Sequence, residues 1–307
     1  MSTRRSFEIE PWSLREASLD LDALAQTESV FALANGHIGL RGNLDEGEPY
    51  GLPGTYLNSF YELRPLPYAE AGFGYPESGQ TIVNVTNGKI IRLLVDDEPF
   101  DVRYGRLVAH ERVLDFRAGM LRRDVEWVSP AGASVRIRST RLVSLVQRTT
   151  AAILYEVEAV DAPLRVVVQS ELVANEPAPP RSSDPRAAAA LESPLQSEEF
   201  SHHDARAVLV HTTKRSGLRM AAGMDHVVEG PDGTGAESES APEVGRFTVA
   251  ANLGVGESLR LVKFLAYGWS SQRSLPAVRD LVVAALAEAR HTGWDGIVSA
   301  QRDYLDD

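Results

Sequence analysis

The stretch Leu121-Arg122-Arg123-Asp124-Val125-Glu126-Trp127-Val128-Ser129-Pro130-Ala131-Gly132-Ala133-Ser134-Val135-Arg136-Ile137-Arg138 decides the fold class. Leu121, Arg123, Val125 and Trp127 interleave with Arg122, Asp124, Glu126 and Val128. Successive side chains of a strand point to opposite faces, so a period of two gives one dry face and one wet face. Ser129-Pro130-Ala131-Gly132 then supplies a turn, and Val135 and Ile137 alternate with Arg136 and Arg138. The stretch predicts an antiparallel hairpin with one face in a core.

The same period extends in both directions. Ala151, Ile153, Tyr155, Val157 and Ala159 form one such row, and Leu164, Val166, Val168, Ser170 and Leu172 form another. Asn87-Gly88 between Thr81–Thr86 and Lys89–Leu94 predicts a tight hairpin turn. On the order of a dozen strands fit between residues 80 and 270, and strands this numerous with hairpin links predict a mainly β protein, a large sandwich of two antiparallel sheets. Two polar stretches, 174–199 with its five prolines and 229–245 with its Gly, Ser and Glu, read as long surface loops. At residue 274 the period changes. Ser274 is a candidate N-cap with Pro276 in the first turn, and Leu275, Val278, Leu281, Val282, Leu286 and Ala289 follow helical spacing. Gly293 closes that helix, and a second one opens near Trp294 with Ile297, Ala300, Tyr304 and Leu305 on one face. The expected division is a β domain over 1–272 and a helical segment over 273–307.

Composition removes several function classes. The chain has 307 residues and a net charge of −12, from 43 acidic against 31 basic side chains. A chain this acidic is repelled by nucleic-acid phosphates and by anionic lipid, so neither is expected as a partner. There is no cysteine, which removes disulfides, thiolate metal sites and a thiol nucleophile. Arg4 and Arg5 are not followed by an apolar run, so no signal peptide is visible. No stretch approaches the roughly 20 apolar residues that span a bilayer. A cytoplasmic protein is expected.

The residues that could carry chemistry are few. His202-His203-Asp204 with His211 lacks any fixed metal-ligand spacing and reads as solvated loop histidines. Asp96-Asp97-Glu98 and Glu198-Glu199 are adjacent acids, whereas glycosidic chemistry needs two carboxyls facing each other about 5–10 Å apart. Asp96-Asp97 reads as a turn. Phe31-Ala32-Leu33-Ala34-Asn35-Gly36-His37-Ile38-Gly39-Leu40-Arg41-Gly42-Asn43 is the most unusual segment, with glycines that permit close backbone approach. Arg41 reads first as half of an internal ion pair and second as a ligand contact. Pro53-Gly54-Thr55-Tyr56-Leu57 follows, with a dense run of aromatics at Phe60, Tyr61, Tyr68, Phe73 and Tyr75 that needs something to pack against.

These segments resemble glycoside hydrolase family 65, which includes the maltose, trehalose, kojibiose and nigerose phosphorylases. Thr27-Glu28-Ser29-Val30-Phe31-Ala32-Leu33-Ala34-Asn35-Gly36-His37-Ile38-Gly39-Leu40-Arg41-Gly42 is similar to the family's opening signature. Pro53-Gly54-Thr55-Tyr56, Leu114–Arg123 and Arg141-Leu142-Val143-Ser144 follow in the family's order, and Pro11-Trp12-Ser13-Leu14-Arg15-Glu16 fits the lead-in. The resemblance covers residues 11 to about 175. The stretch 174–245 matches no family motif, and the family often carries a proline where Thr86-Asn87-Gly88 stands.

The resemblance implies a β-sandwich of the galactose-mutarotase-like kind, then a helical linker, an (α/α)6 barrel and a small β domain. It implies cleavage of α-linked glucosyl disaccharides, mostly by inverting phosphorolysis. A general-acid glutamate in the barrel protonates the leaving oxygen, and inorganic phosphate attacks from the opposite face to give β-glucose 1-phosphate. Some members use water instead. Both the acid and the phosphate site belong to the barrel, so no catalytic residue is expected here, and no cofactor beyond phosphate as co-substrate of the parent. The expected partners are the parent's own barrel, a small carbohydrate, and a second copy in a homodimer. Asn35, His37, Arg41, Tyr56 and Tyr61 are the candidates for facing the barrel or touching sugar. Two rivals remain: a stand-alone carbohydrate-binding sandwich, and a mutarotase-like enzyme needing a paired acid and base.

Overall fold

The computed structural model describes residues 7–49, 51–65, 74, 78–177 and 191–307. Tyr68, Phe73, Tyr75 and most of the proline-rich stretch after Ala174 lie outside them. The larger sheet has ten antiparallel strands. It runs β1 (Glu8–Glu10), β2 (Ser13–Glu16), β10 (Arg106–Asp115), β11 (Met120–Val128), β12 (Ser134–Val143), β13 (Thr150–Ala159), β20 (Ser258–Ser270), β17 (Arg219–Glu229), β16 (Arg206–Thr213) and β15 (Leu195–His203). Facing it is a five-stranded sheet of β18 (Gly235–Ala241), β19 (Val244–Leu253), β14 (Leu164–Val173), β8 (Ile91–Val95) and β9 (Glu98–Pro99). Small sheets of β3 (Leu33–Ala34), β4 (Ile38–Leu40) and β5 (Thr55–Leu57), and of β6 (Tyr61–Pro65) and β7 (Ser78–Ile82), close one end. Helix α1 is Leu24–Val30 and α2 is Leu275–Asp306.

The two-period rows land where the alternation places them. Val125, Trp127, Ile137, Ile153, Tyr155 and Val157 of the larger sheet meet Ile91, Leu93, Val166, Val168 and Leu172 of the smaller one in a single core. Strand β20 carries a different pattern. Leu259, Leu261, Leu265 and Tyr267 enter that core, while Val262, Phe264 and Ala266 point the other way and are equally buried. Those outward residues, with Ala152, Val208, Val210 and Ala221, pack under Val278, Val282, Leu286 and Ala289 of α2. The middle of the larger sheet is thus covered on both faces, and Lys263, the one charged group in the buried part of β20, donates to the Ile90 and Glu171 carbonyls. At Gly293 α2 breaks into two helical segments, with φ 69° there, a conformation that favours glycine. Arg290 ties it to the sheet through Asp225, 2.7 Å away and fully buried.

Three expectations change. Asn87-Gly88 is not a hairpin turn: the Asn87 backbone bridges to Val173, and β7 pairs with β6 instead. The Asn87 amide oxygen accepts from the Lys89 backbone N and Nζ, and a Cβ at Gly88 would lie 2.6 Å from Leu265 Cδ2 and from Tyr267 Oη. The dipeptide is set by close packing against β20 rather than by turning. The polar stretch 229–245 is not one long loop, because residues 235–241 form β18, the outer strand of the smaller sheet. Residues 195–199 likewise open β15, so His202 and His203 sit on a strand and His211 on β16. Asp96-Asp97 does form the turn joining β8 to β9, both with positive φ.

Candidate functional site

The small sheet β3–β4–β5 carries most of the candidate residues, and its geometry divides them. Asn35 is buried and saturated. Its Oδ1 accepts from the backbone N–H of His37 and Ile38, and its Nδ2 donates to the carbonyls of Ser144 and Arg148, the former at 2.6 Å. This shapes the β3–β4 turn, with Gly36 at φ 83°, and fastens it to the loop after β12. Arg41 is also interior: it reaches Glu28 at 3.5 Å and donates to the carbonyls of Leu52 and Ala25. The internal ion pair expected for Arg41 is what the structure contains.

His37 and Tyr56 behave differently. Both are half-exposed and line one open cleft of about 680 Å³ together with Gly39, Asn58 and Ile82. Gly39 and Tyr56 are cross-strand partners, so the absence of a side chain on β4 leaves the cleft open above the tyrosine. Ile82 is 62% exposed, large for a β-branched residue. His37 Nε2 lies 3.4 Å from the Tyr267 carbonyl, and its own carbonyl accepts from Asn58 N. Tyr61 stands at the start of β6, packed against the sandwich core, and is not part of the cleft lining. Trp269 was not foreseen. Its indole donates to the Asn58 carbonyl at 3.1 Å and its ring packs edge-on against Phe60. Its place in the strand-forming run Lys263–Ser270 hid it, since nothing local distinguishes a core tryptophan from one at a sheet end.

Beneath this sheet lies a layer of buried charge. Arg112 of β10 donates to Glu16 at 2.6 Å, to Gly42 O and to Thr27 Oγ1. Arg123 of β11 holds Glu46 and His110, and Arg141 of β12 reaches Asp45 at 2.7 Å and the Arg41 and Asn43 carbonyls. Burial alone pushes the Asp45 carboxyl up, but Arg141, Arg123 and Ser139 outweigh it and hold it below its ordinary value. Burial, helped by Arg123 and Arg112, drops His110 to about 2, so it is neutral and accepts from Arg123. Arg112, Arg123 and Arg141 therefore clamp residues 41–46 onto the sheet. Lys89 donates to Thr55 Oγ1 at 2.6 Å and to Asn87 Oδ1; burial lowers it to about 7 against the opposing pull of Glu176.

Among the described residues the cleft lining carries no carboxylate. Glu62 accepts from the backbone N–H of Leu63, Arg215 and Ser216. Among the described residues no group of three or more His, Asp or Glu is placed to hold a metal ion. His202 bonds Ser240, His203 meets Asp204 and His211 Nε2 meets the Pro242 carbonyl, so the histidines do not converge. No helix of the described residues is long and apolar enough to cross a membrane.

Comparison with known proteins turns this frame into a family. The model of the glycosyl hydrolase family 65 N-terminal domain matches residues 14–307. The chain belongs to glycosyl hydrolase family 65. An uncharacterized glycosyl hydrolase of Mycobacterium tuberculosis is 61% identical over 307 residues, all of this chain and 39% of the relative. The α,α-trehalose phosphorylase of Thermoanaerobacter brockii is 32% identical over 97% of this chain and 39% of its own length. A solved structure assigned as a candidate kojibiose phosphorylase from the human microbiome superposes with TM-score 0.87 at 19% identity, over 98% of this chain and 38% of that one. The family 65 sandwich seen here is thus matched end to end, and the chain spans about 39% of the curated relatives' length.

Proposed function

We propose that this chain is the non-catalytic N-terminal module of a family 65 enzyme that cleaves an α-linked glucosyl disaccharide by inverting phosphorolysis. In this reading the bond-breaking acid and the phosphate site belong to an (α/α)6 barrel in the rest of the parent. The His37–Tyr56 cleft then faces that barrel. One observation carries the reading: the chain aligns with a trehalose phosphorylase along 97% of itself, yet accounts for only 39% of that enzyme. The site geometry is consistent with it. The arginines, the buried acids and Lys89 are absorbed in holding residues 41–46 and 87–89 in place. Among the described residues the cleft offers an imidazole, a phenol and apolar surface, without the facing carboxyl pair that glycoside cleavage needs.

The test compares the 307-residue chain with the full-length parent. Each is incubated with trehalose, maltose, kojibiose or nigerose plus inorganic phosphate, and β-glucose 1-phosphate is measured. Product is expected from the parent and none from the chain alone. Turnover by the chain alone would falsify the assignment, and release of free glucose without phosphate consumption would make the parent a hydrolase.

A further inference from the structure

Trp12 occupies a position that tryptophan rarely takes. It sits in the two-residue link Pro11-Trp12 between β1 and β2, with φ 67°, where glycine or asparagine is usual. The residue is 61% exposed. A strained backbone carrying an exposed indole needs a reason outside the core. The surroundings are built rather than casual. The Trp12 carbonyl accepts from Phe116 N at 2.9 Å, and the Arg117 guanidinium lies 5.2 Å from the indole centroid. Phe116 is itself 46% exposed. On the other side of the same β10–β11 turn, Gln301 of α2 donates to the Gly119 carbonyl at 3.0 Å, and Leu305 lies against Gly119. Tyr304 and Leu305 are exposed in the last turn of that helix. The Phe116–Gly119 turn thus carries the indole at one side and the end of α2 at the other.

We propose that this corner is the docking surface for the residues that follow position 307 in the full-length parent. The inference rests on the reading of the chain as one module of a longer enzyme. The occupant follows from direction and length. Helix α2 delivers the chain to the foot of the Phe116–Gly119 turn, and the relatives matched over the whole of this chain are more than twice as long. The end of α2 reaches Gly119, across the four-residue turn from Trp12, so the residues that follow it have a high effective concentration at this corner. The positive φ fixes the exposed indole at this turn, with the Arg117 guanidinium over its ring.

Hydroxyl-radical footprinting tests this on the 307-residue chain and on the parent, with phosphorolysis of trehalose by the parent followed in the same preparation. Trp12 and Phe116 are expected to be oxidised at least fivefold more slowly in the parent. Tyr104, exposed at the opposite end of β10, serves as the control and is oxidised equally in both. Equal oxidation of Trp12 in the two proteins overturns the proposal, whatever the turnover. Protection without turnover supports the docking surface and counts only against the phosphorolysis reading. Trp12→Gly gives a second readout, because it removes the ring while relieving the positive φ. The midpoint of the 307-residue chain is expected to hold or rise, and that of the parent to fall by several degrees. A fall of equal size in both would mean the ring serves this module alone, and the proposal would be wrong.

Discussion

Removing the Arg112 guanidinium is the sharpest perturbation of the clamp beneath the candidate site. Arg112 and Glu16 are both almost fully buried, 2.6 Å apart, and the same guanidinium satisfies Gly42 O and Thr27 Oγ1. Arg112→Met keeps most of the packing against Phe31, whose ring lies 5.0 Å from the guanidinium carbon. It leaves the Glu16 carboxylate in the interior without its counter-charge. Breaking one side of a buried pair costs about 3–5 kcal/mol, whereas replacing both sides by apolar groups is often close to neutral. At about 2 °C per kcal/mol for a chain of this size, the single variant should melt ~6–10 °C lower. Glu16→Met should cost a similar amount by stranding the arginine. The double variant Glu16→Met/Arg112→Met should recover most of the loss, giving a coupling of several kcal/mol in a double-mutant cycle. Urea denaturation followed by tryptophan fluorescence and by circular dichroism supplies the four stabilities. A single-variant cost below about 1 kcal/mol, or costs that add in the double variant, would refute the idea that these charges depend on each other.

Two further outcomes follow from single groups. His226 donates from Nδ1 to the Ala205 carbonyl and accepts from Ser170 Oγ at Nε2, and burial with help from Lys263 lowers it to about 3. The neutral ring is the folded form, so the unfolded chain binds the extra proton below its ordinary value of ~6.5, and stability falls as pH drops from there toward 3 by up to ~1.4 kcal/mol per unit. His226→Gln should remove one proton from that slope in stability-versus-pH titrations; an unchanged slope would locate the acid sensitivity elsewhere. Gly54→Ala should destabilise by ~1–3 kcal/mol or more in the same denaturation assay, because the new Cβ would lie 2.2 Å from Arg41 Cβ. A variant as stable as the parent chain would show that β5 moves away from Arg41 more easily than its hydrogen bonds suggest.

Much of the sandwich was legible because a half-buried strand writes its burial every second residue. Trp127, Ile137 and Val157 announce themselves in this way. β18 did not, since a strand at the exposed margin of a sheet needs no apolar side. Glu237, Ser238 and Glu239 are held by backbone pairing with β19, which no local pattern records. Asn87-Gly88 misled for a related reason. The local turn preference was overruled by Lys89, which takes the asparagine oxygen, and by Leu265 and Tyr267, 177 or more positions away, which leave no space for a Cβ. At the candidate site, Asn35, His37, Arg41 and Tyr56 stood out together as one unusual segment and its neighbour. Their separation into interior fasteners and cleft surface depends on Ser144, Arg148 and Glu28, partners supplied by the tertiary fold.

The position of α2 bears on where this module can be cut. The helical stretch could be taken for a tether between two independent bodies, dispensable once the last strand is complete. Its removal would instead strip the roof from Val262, Phe264, Ala266 and Ala221, leaving a broad greasy panel open to water. A recombinant product ending near residue 272 is therefore a candidate for clumping or inclusion bodies, while one carried through Ile297 keeps the panel sealed.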